Sequence, residues 1–182
     1  MYVSDKHKII WICVPGTGTR SFEKAAKEAE FDFVLAGRDK HPGTDIPMPL
    51  HFPASIAKEI IPVHKWATYE KIAFIRNPYD WMNSIYNHRS IKNIGFVAEN
   101  APFADFVRKN DKTPYLWYVD DNNNMLIDTL YKTEELKKVF LRFGLKYFHI
   151  NTTSFKKPKQ IYTPELEGIM KKRFWREFKH YE

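Results

Sequence analysis

Residues 8–30 read "KIIWICVPGTGTRSFEKAAKEAE", in which an apolar run, a glycine-rich segment and an alanine-rich run follow one another. The apolar run 8–14 predicts a buried strand, and the run 21–30 predicts a helix with its alanines and Phe22 on one face. Between them lies the glycine loop, residues 15–21, which is rich in glycine and hydroxyl side chains. A strand, such a loop and a helix together favour phosphate binding, because main-chain N–H groups and the helix N-terminus both attract anions.

Strands and helices alternate along the rest of the chain. Strands are predicted at 31–36, 71–75, 124–132 and 146–150, and helices at 54–61, 78–89, 102–109, 134–143 and 164–178. Short apolar strands between amphipathic helices predict an α/β fold with three layers, in which helices cover both faces of a mostly parallel sheet. We find no internal repeat and no linker, so we expect a single domain spanning residues 1–182.

Four helix ends carry recognisable signals. Asn77 is predicted to cap a helix whose first residue is Pro78, and Thr133 to cap the helix that Gly144 ends. Thr163, followed by a proline, is predicted to begin the final helix.

Composition limits the classes of partner. The net charge of +7 favours an anionic partner, and the hydrophobic content of 43% indicates a globular chain. We expect a cytoplasmic protein, because there is one cysteine, no signal-peptide pattern and no apolar run long enough to span a membrane. The histidines lack metal-ligand spacing, so no metal is predicted, and no nucleic-acid-binding motif is present.

The glycine loop is expected to bind phosphate mainly through its main chain. Gly16 and Gly18 allow positive φ and a close approach of the backbone, while three hydroxyl side chains add donors. The loop has no lysine and does not match the Walker pattern G-x-x-x-x-G-K-[ST]. The predicted phosphate-binding residues are Pro15, Gly16, Thr17, Gly18, Thr19, Arg20 and Ser21.

A second segment, residues 76–86, reads "RNPYDWMNSIY". Arg76 directly follows a predicted buried strand, and Ser84 lies on the helix after it. An arginine fork together with a hydroxyl suits a specific phosphate site.

These two segments resemble those of the sulfotransferases that use 3′-phosphoadenosine 5′-phosphosulfate (PAPS). That family has a loop P-K-T-G-[GST]-T-S and a segment R-N-P-[YW]-D-R-x-x-S-x-Y. The stretches 51–60, 130–136 and 162–181 also resemble family segments in order and spacing. The chain resembles the small carbohydrate-sulfotransferase-like proteins of bacteria and their viruses, and this resemblance implies a P-loop nucleotide-hydrolase-like fold.

The resemblance implies a function and a set of site residues. The chain would transfer a sulfuryl group from PAPS to a hydroxyl or amine of a carbohydrate or small molecule, releasing adenosine 3′,5′-bisphosphate. The glycine loop would hold the 5′-phosphosulfate, and Arg76 with Ser84 would hold the 3′-phosphate. Ser154 and Lys156, from a loop near the C-terminus, are expected on the 3′-phosphate side.

One departure from the family pattern leaves alternatives open. The family's loop lysine corresponds to Gly16, so Arg20 is our hypothesis for the replacement cation. Placing lysine at position 16 should then raise activity, provided that this residue does not need positive φ. The alternatives are a nucleotide-binding relative without full activity and, with less support, a P-loop kinase.

The general base is predicted to be His51, which matches the family histidine ahead of the 54–61 helix. His41 and Glu134 are the next candidates. The acceptor pocket is expected to be built from residues 37–53 and 89–115, and its specificity is not readable from the sequence.

Overall fold

The computed structural model describes residues 1–28, 34–35, 51–92, 102–148 and 160–182. These residues fall into two compact units. Unit 1 comprises Met1–Ile75 and Pro114–His149, and unit 2 comprises Arg76–Thr113 and Ile150–Glu182. The assignment of the whole chain to one domain stays a prediction.

Unit 1 contains a five-stranded sheet with the strand order β3-β1-β2-β4-β5. The strands are β1 (Tyr2–Ser4), β2 (Ile9–Ile12), β3 (Val34–Leu35), β4 (Glu70–Ile75) and β5 (Thr129–Lys132). Strand β1 runs antiparallel to both neighbours, whereas β2, β4 and β5 pair in parallel. All strands except β1 therefore point the same way, which confirms an α/β fold with a mostly parallel sheet.

Eight helices are present among the described residues. They are α1 (Thr19–Glu28), α2 (Ala54–Ile60), α3 (Val63–Thr68), α4 (Pro78–Lys92), α5 (Phe103–Lys109), α6 (Leu136–Arg142), α7 (Pro164–Arg173) and α8 (Trp175–Tyr181). Short 3-10 turns lie at Pro114–Trp117 and Thr133–Glu135. No helix in the described part of the chain is long and apolar enough to cross a membrane.

Both faces of strand β2 are buried. Trp11 joins one apolar cluster with side chains from α1 and α6, and its ring centroid lies 4.0 Å from that of Phe22. Ile12 joins a second cluster with Ala54 of α2 and with Tyr118. Burial on both faces explains why this segment is a continuous apolar run rather than an alternating one.

Unit 2 has an apolar cluster of its own, to which α4, α5, α7 and α8 contribute. Its buried members are Trp81, Met82, Ile85, Phe103, Phe106, Val107, Leu166, Met170 and Phe174. The guanidinium of Arg173 donates to the main-chain oxygens of Val107 and Asn110. This arginine therefore satisfies carbonyl groups that the end of α5 leaves without intrahelical donors.

Several element predictions needed correction. Strand β1 and helix α3 were not predicted, and the strand expected over 124–132 is present only at Thr129–Lys132. Asp120 accepts main-chain hydrogen bonds from Asn122 (2.9 Å) and Asn124 (2.8 Å), which holds a turn where the strand was expected to begin. Residues 146–148 are not a strand, and 149–150 lie outside the described residues. The predicted strand 31–36 is described only at Val34–Leu35.

The helix-end signals were mostly read correctly. The Asn77 side chain accepts from the N–H of Tyr79 (3.0 Å), and Thr163 accepts from that of Leu166 (3.4 Å). Gly144 follows α6 with φ of 69°. The Thr133 cap is wrong, because its hydroxyl donates to the Glu134 side chain instead (3.2 Å) and α6 begins only after a 3-10 turn. Helix α1 begins two residues earlier than predicted, and the final helix is interrupted at Phe174.

Candidate functional site

The glycine loop leads directly into the first turn of α1. The Gly18 carbonyl accepts hydrogen bonds from the N–H groups of Ser21 (3.0 Å) and Phe22 (3.2 Å), so the helix starts there. The first N–H groups of any helix have no intrahelical acceptor, and Gly18 has no side chain that could cap them. The start of α1 therefore offers main-chain donors, together with the positive end of the helix dipole.

Both loop glycines adopt the positive φ that glycine allows, which the sequence had left open at position 16. Gly16 has φ of 78° and Gly18 has φ of 90°, both in the region that favours glycine. A Cβ atom on Gly18 would also lie 2.6 Å from Cδ1 of Leu136, the first residue of α6. Position 18 therefore requires glycine both for its backbone conformation and for the space that Leu136 occupies.

The loop hydroxyls have different roles. Thr17 is buried and its hydroxyl donates to the Val14 carbonyl (2.8 Å), which stabilises the conformation of the loop. Thr19 is also buried, but its hydroxyl has no hydrogen-bond partner among the described residues. Its polar neighbour is the thiol of Cys13: burial raises the pKa of that thiol, and a weaker hydrogen-bonding interaction with Thr19 opposes this shift. Among the described residues, Thr19 Oγ1 therefore has this weak thiol contact but no well-formed hydrogen bond.

His51 is bound to the chain segment that leads into the loop. Its Nδ1 lies 2.9 Å from the carbonyl oxygen of Cys13. Because a carbonyl can only accept, Nδ1 carries the proton, and the lone pair of the neutral ring is on Nε2. Burial lowers the pKa of His51, and the positive charges of the N-terminus and Arg20 act in the same direction. The hydrogen bond to Cys13 opposes this shift.

Arg20 is the second residue of α1 and is exposed. Its charge contributes to the lowered pKa of His51, so the electrostatic influence of Arg20 reaches the histidine. Its side chain makes no hydrogen bond or ion pair with any residue that the structure describes. The loop, His51 and Arg20 are all in unit 1, where the structure brings them into one region.

The second predicted phosphate segment lies in unit 2. Arg76 and Ser84 are both partly buried, Arg76 just before α4 and Ser84 within it. The start of α4 is capped, since Asn77 Oδ1 accepts from Tyr79 N–H (3.0 Å) and lies 3.4 Å from the nitrogen of Asp80. A phosphate at this segment would therefore rely on side chains rather than on the helix start.

Some predicted residues cannot be placed. Ser154, Lys156 and His41 lie outside the described residues, as do residues 37–50 and 93–101 of the two segments expected to form the acceptor pocket. Glu134 is described and exposed, and it accepts a hydrogen bond from the neighbouring Thr133 hydroxyl (3.2 Å). No group of three His, Cys, Asp or Glu side chains in the described ranges could hold a metal ion.

Sequence reasoning missed two contributors to the site. The carbonyl of Cys13 fixes the His51 ring, and Leu136 packs against Gly18. Both contacts join segments that are distant in the chain. A main-chain oxygen leaves no signal in a sequence, and a leucine at the start of a helix is indistinguishable from any other core leucine.

Comparisons with known proteins do not identify a family for the chain. No protein-family model, no curated protein and no solved structure matches the chain.

Proposed function

We propose that the chain is a PAPS-dependent sulfotransferase with a P-loop nucleotide-hydrolase-like, three-layer fold. The observation that carries the proposal is the pairing of a helix start that follows Gly18, which has no capping side chain, with a histidine whose Nδ1 is bound to the Cys13 carbonyl, next to the same loop. Transfer of an anionic group to a hydroxyl or amine requires donors that stabilise the anion and a base that accepts the proton. An anion site beside a neutral imidazole provides both.

The loop residues fit the 5′-phosphosulfate. Among the described residues the buried hydroxyl of Thr19 has only the weak thiol of Cys13 beside it, and a phosphate or sulfate oxygen would be a stronger acceptor. The main-chain donors at the start of α1 and the positive φ of both glycines suit the same anion. When bound, PAPS supplies a sulfuryl group bonded to a good leaving group, adenosine 3′,5′-bisphosphate.

His51 is the proposed general base. Its Nε2 lone pair accepts the proton from the acceptor hydroxyl or amine as that group forms its bond to sulfur. The bond between sulfur and the phosphate oxygen breaks, and the electron pair leaves with the nucleotide. The lowered pKa keeps the imidazole neutral at pH 7, which is the state a base requires.

Arg20 is the proposed cation that balances the charge of the leaving phosphate. It is exposed and belongs to the first turn of α1, and a guanidinium remains charged at any working pH. Replacing Gly16 by lysine is not expected to restore a family-like site, because φ of 78° would strain any L-residue there. The positive φ at position 16 is also the observation that favours the second candidate, a nucleotide-binding relative without full activity.

The assignment of the 3′-phosphate to Arg76 and Ser84 rests on the resemblance of segment 76–86 to the sulfotransferase pattern. Calorimetry with adenosine 3′,5′-bisphosphate, AMP and ATP tests it. The bisphosphate should bind best, and Arg76→Ala should cost about 1.5–3 kcal/mol of its binding energy. Arg108→Ala, which removes an exposed arginine paired with Glu165, serves as the control and should bind normally. Equal affinity of the wild type for the bisphosphate and AMP would reject PAPS.

Activity separates the two candidates. With an acceptor found by screening carbohydrates and small alcohols or amines, Arg20→Ala should lower kcat by roughly 10²–10³ if Arg20 balances the leaving charge. Lys24→Ala removes an exposed cation from the same helix and should have little effect. A wild-type protein that binds the bisphosphate but transfers no sulfuryl group from PAPS would favour the non-catalytic relative.

A further inference from the structure

Asn83 is a buried amide whose polar atoms have no partner among the described residues. The residue is 6% exposed, and neither Nδ2 nor Oδ1 has a hydrogen-bond partner in the part of the chain that the structure describes. Asn110, in the same unit, shows the usual situation: it is 7% exposed, and its Nδ2 donates to the Lys112 carbonyl (2.9 Å). Because a buried amide without partners destabilises a fold, an unsatisfied one calls for an explanation.

The position of Asn83 on α4 separates it from the apolar core of unit 2. Trp81, Met82 and Ile85 of the same helix belong to that core. Asn83 lies one helical turn after Asp80, on the stripe where polar residues recur, and directly before Ser84. The amide is therefore on a polar side of the helix that carries a predicted nucleotide-binding residue.

The hydrogen-bonding groups of the Asn83 amide limit the chemical classes of ligand that could satisfy it. Nδ2 needs an acceptor and Oδ1 needs a donor. A phosphate or sulfate oxygen only accepts, so it would leave Oδ1 unsatisfied. The adenine ring presents its 6-amino donor beside a ring-nitrogen acceptor, and the asparagine side chain pairs with that edge in a bidentate manner.

We infer that Asn83 binds the adenine base of the nucleotide and selects it by its 6-amino group. The inference rests on the proposed function, which supplies an adenosine nucleotide. The nucleotide-binding residues predicted from the sequence were assigned only to phosphates, and Asn83 adds a contact to the base. It also gives a reason for an otherwise unfavourable buried amide, which is satisfied only when the nucleotide is bound.

The test compares two nucleotides by calorimetry: adenosine 3′,5′-bisphosphate and the purine riboside 3′,5′-bisphosphate that lacks the 6-amino group. The wild type should prefer the adenosine compound by about tenfold, since one hydrogen bond is lost without the amino group. Asn83→Leu, which has a similar volume, should bind both compounds equally. Asn83→Ala provides a second variant in case leucine disturbs the packing.

Thermal unfolding of the ligand-free variants gives a readout that does not depend on nucleotide. Asn83→Leu should raise the unfolding midpoint by about 2–4 °C, because an unsatisfied amide is removed. The matched control, Asn110→Leu, should lower the midpoint and keep the preference for adenine.

The outcomes separate this inference from the proposed function. A wild type that binds neither nucleotide would overturn both. A wild type that binds both equally, or an Asn83→Leu variant that keeps the preference, would overturn the adenine contact alone. An Asn83→Leu variant that weakens both nucleotides by the same factor would place the contact on a part that the two share, and would also overturn it.

Discussion

Two helices, α1 and α4, follow strands β2 and β4 in the chain, and these strands are parallel neighbours in the sheet. Their N-termini are built differently. At α4 the Asn77 side chain accepts from the N–H of Tyr79 (3.0 Å), and the first residue is Pro78, which has no N–H. At α1 the residue before the helix is Gly18, which has no side chain to cap with.

The difference shows that topology alone does not make an anion site. Two strand-to-helix connections in similar settings have opposite outcomes, and the residue before the helix decides between them. At α4 the chain satisfies its own donors, so any ligand must be held by side chains such as Arg76. At α1 no capping side chain stands at the residue before the helix, and His51 is fixed to Cys13, just ahead of the same loop.

The largest effect is expected from His51, the proposed general base beside the start of α1. His51→Ala should lower kcat by roughly 10²–10⁴ while leaving the affinity for adenosine 3′,5′-bisphosphate nearly unchanged, because a general base acts in the transition state. Steady-state kinetics with PAPS and an identified acceptor, together with calorimetry, measure both quantities.

The pH dependence of kcat/KM provides a second test of His51 as the general base. Because burial lowers the pKa of His51, the neutral base should persist below its ordinary pKa of about 6.5, and kcat/KM should fall only at lower pH. His64→Ala, which removes an exposed histidine of α3, should have wild-type kinetics. A fully active His51→Ala variant would move the base elsewhere, with Glu134 and His41 to be tested next.

The next effect is on stability and concerns the shape of the loop. Gly18→Ala should lower the free energy of unfolding by about 2–4 kcal/mol, because its Cβ would strain a positive φ and meet Leu136. Gly168→Ala is the matched control. No atom lies within 4 Å of its added Cβ, and it is helical, so about 0.5–1 kcal/mol should be gained. Chemical denaturation of both variants gives the comparison; equal effects would mean that Leu136 and the backbone do not fix position 18.

A smaller effect is expected at the start of α4. Asn77→Ala should cost about 1 kcal/mol of unfolding free energy, because a capping oxygen is lost. Asn77→Asp keeps the acceptor and adds a charge that the helix dipole favours, so it should be at least as stable as the wild type. If Asn77→Ala unfolds at the same denaturant concentration as the wild type, the contrast between the two helix starts disappears.

Much of this contrast could be predicted from the sequence. Local signals were sufficient where the chemistry is local, as in a glycine loop able to adopt positive φ and the cap at Asn77. Sequence signals predicted the wrong element where the surrounding structure outweighed local propensity. The apolar run before Thr129 suggested a longer strand, but the Asp120 turn precedes it. The support of His51 by Cys13 depends on folding, and no local pattern shows it.

The central claim is that the start of α1, which follows Gly18, binds the 5′ end of the nucleotide. The most direct measurement is a titration of ¹⁵N-labelled protein with adenosine 3′,5′-bisphosphate, followed through the main-chain amide resonances. The account predicts that the largest shifts occur at the amides of residues 16–21, and that adenosine 3′-phosphate, which lacks the 5′ group, leaves these amides largely unchanged. Binding of the bisphosphate without shifts in this loop would contradict the account.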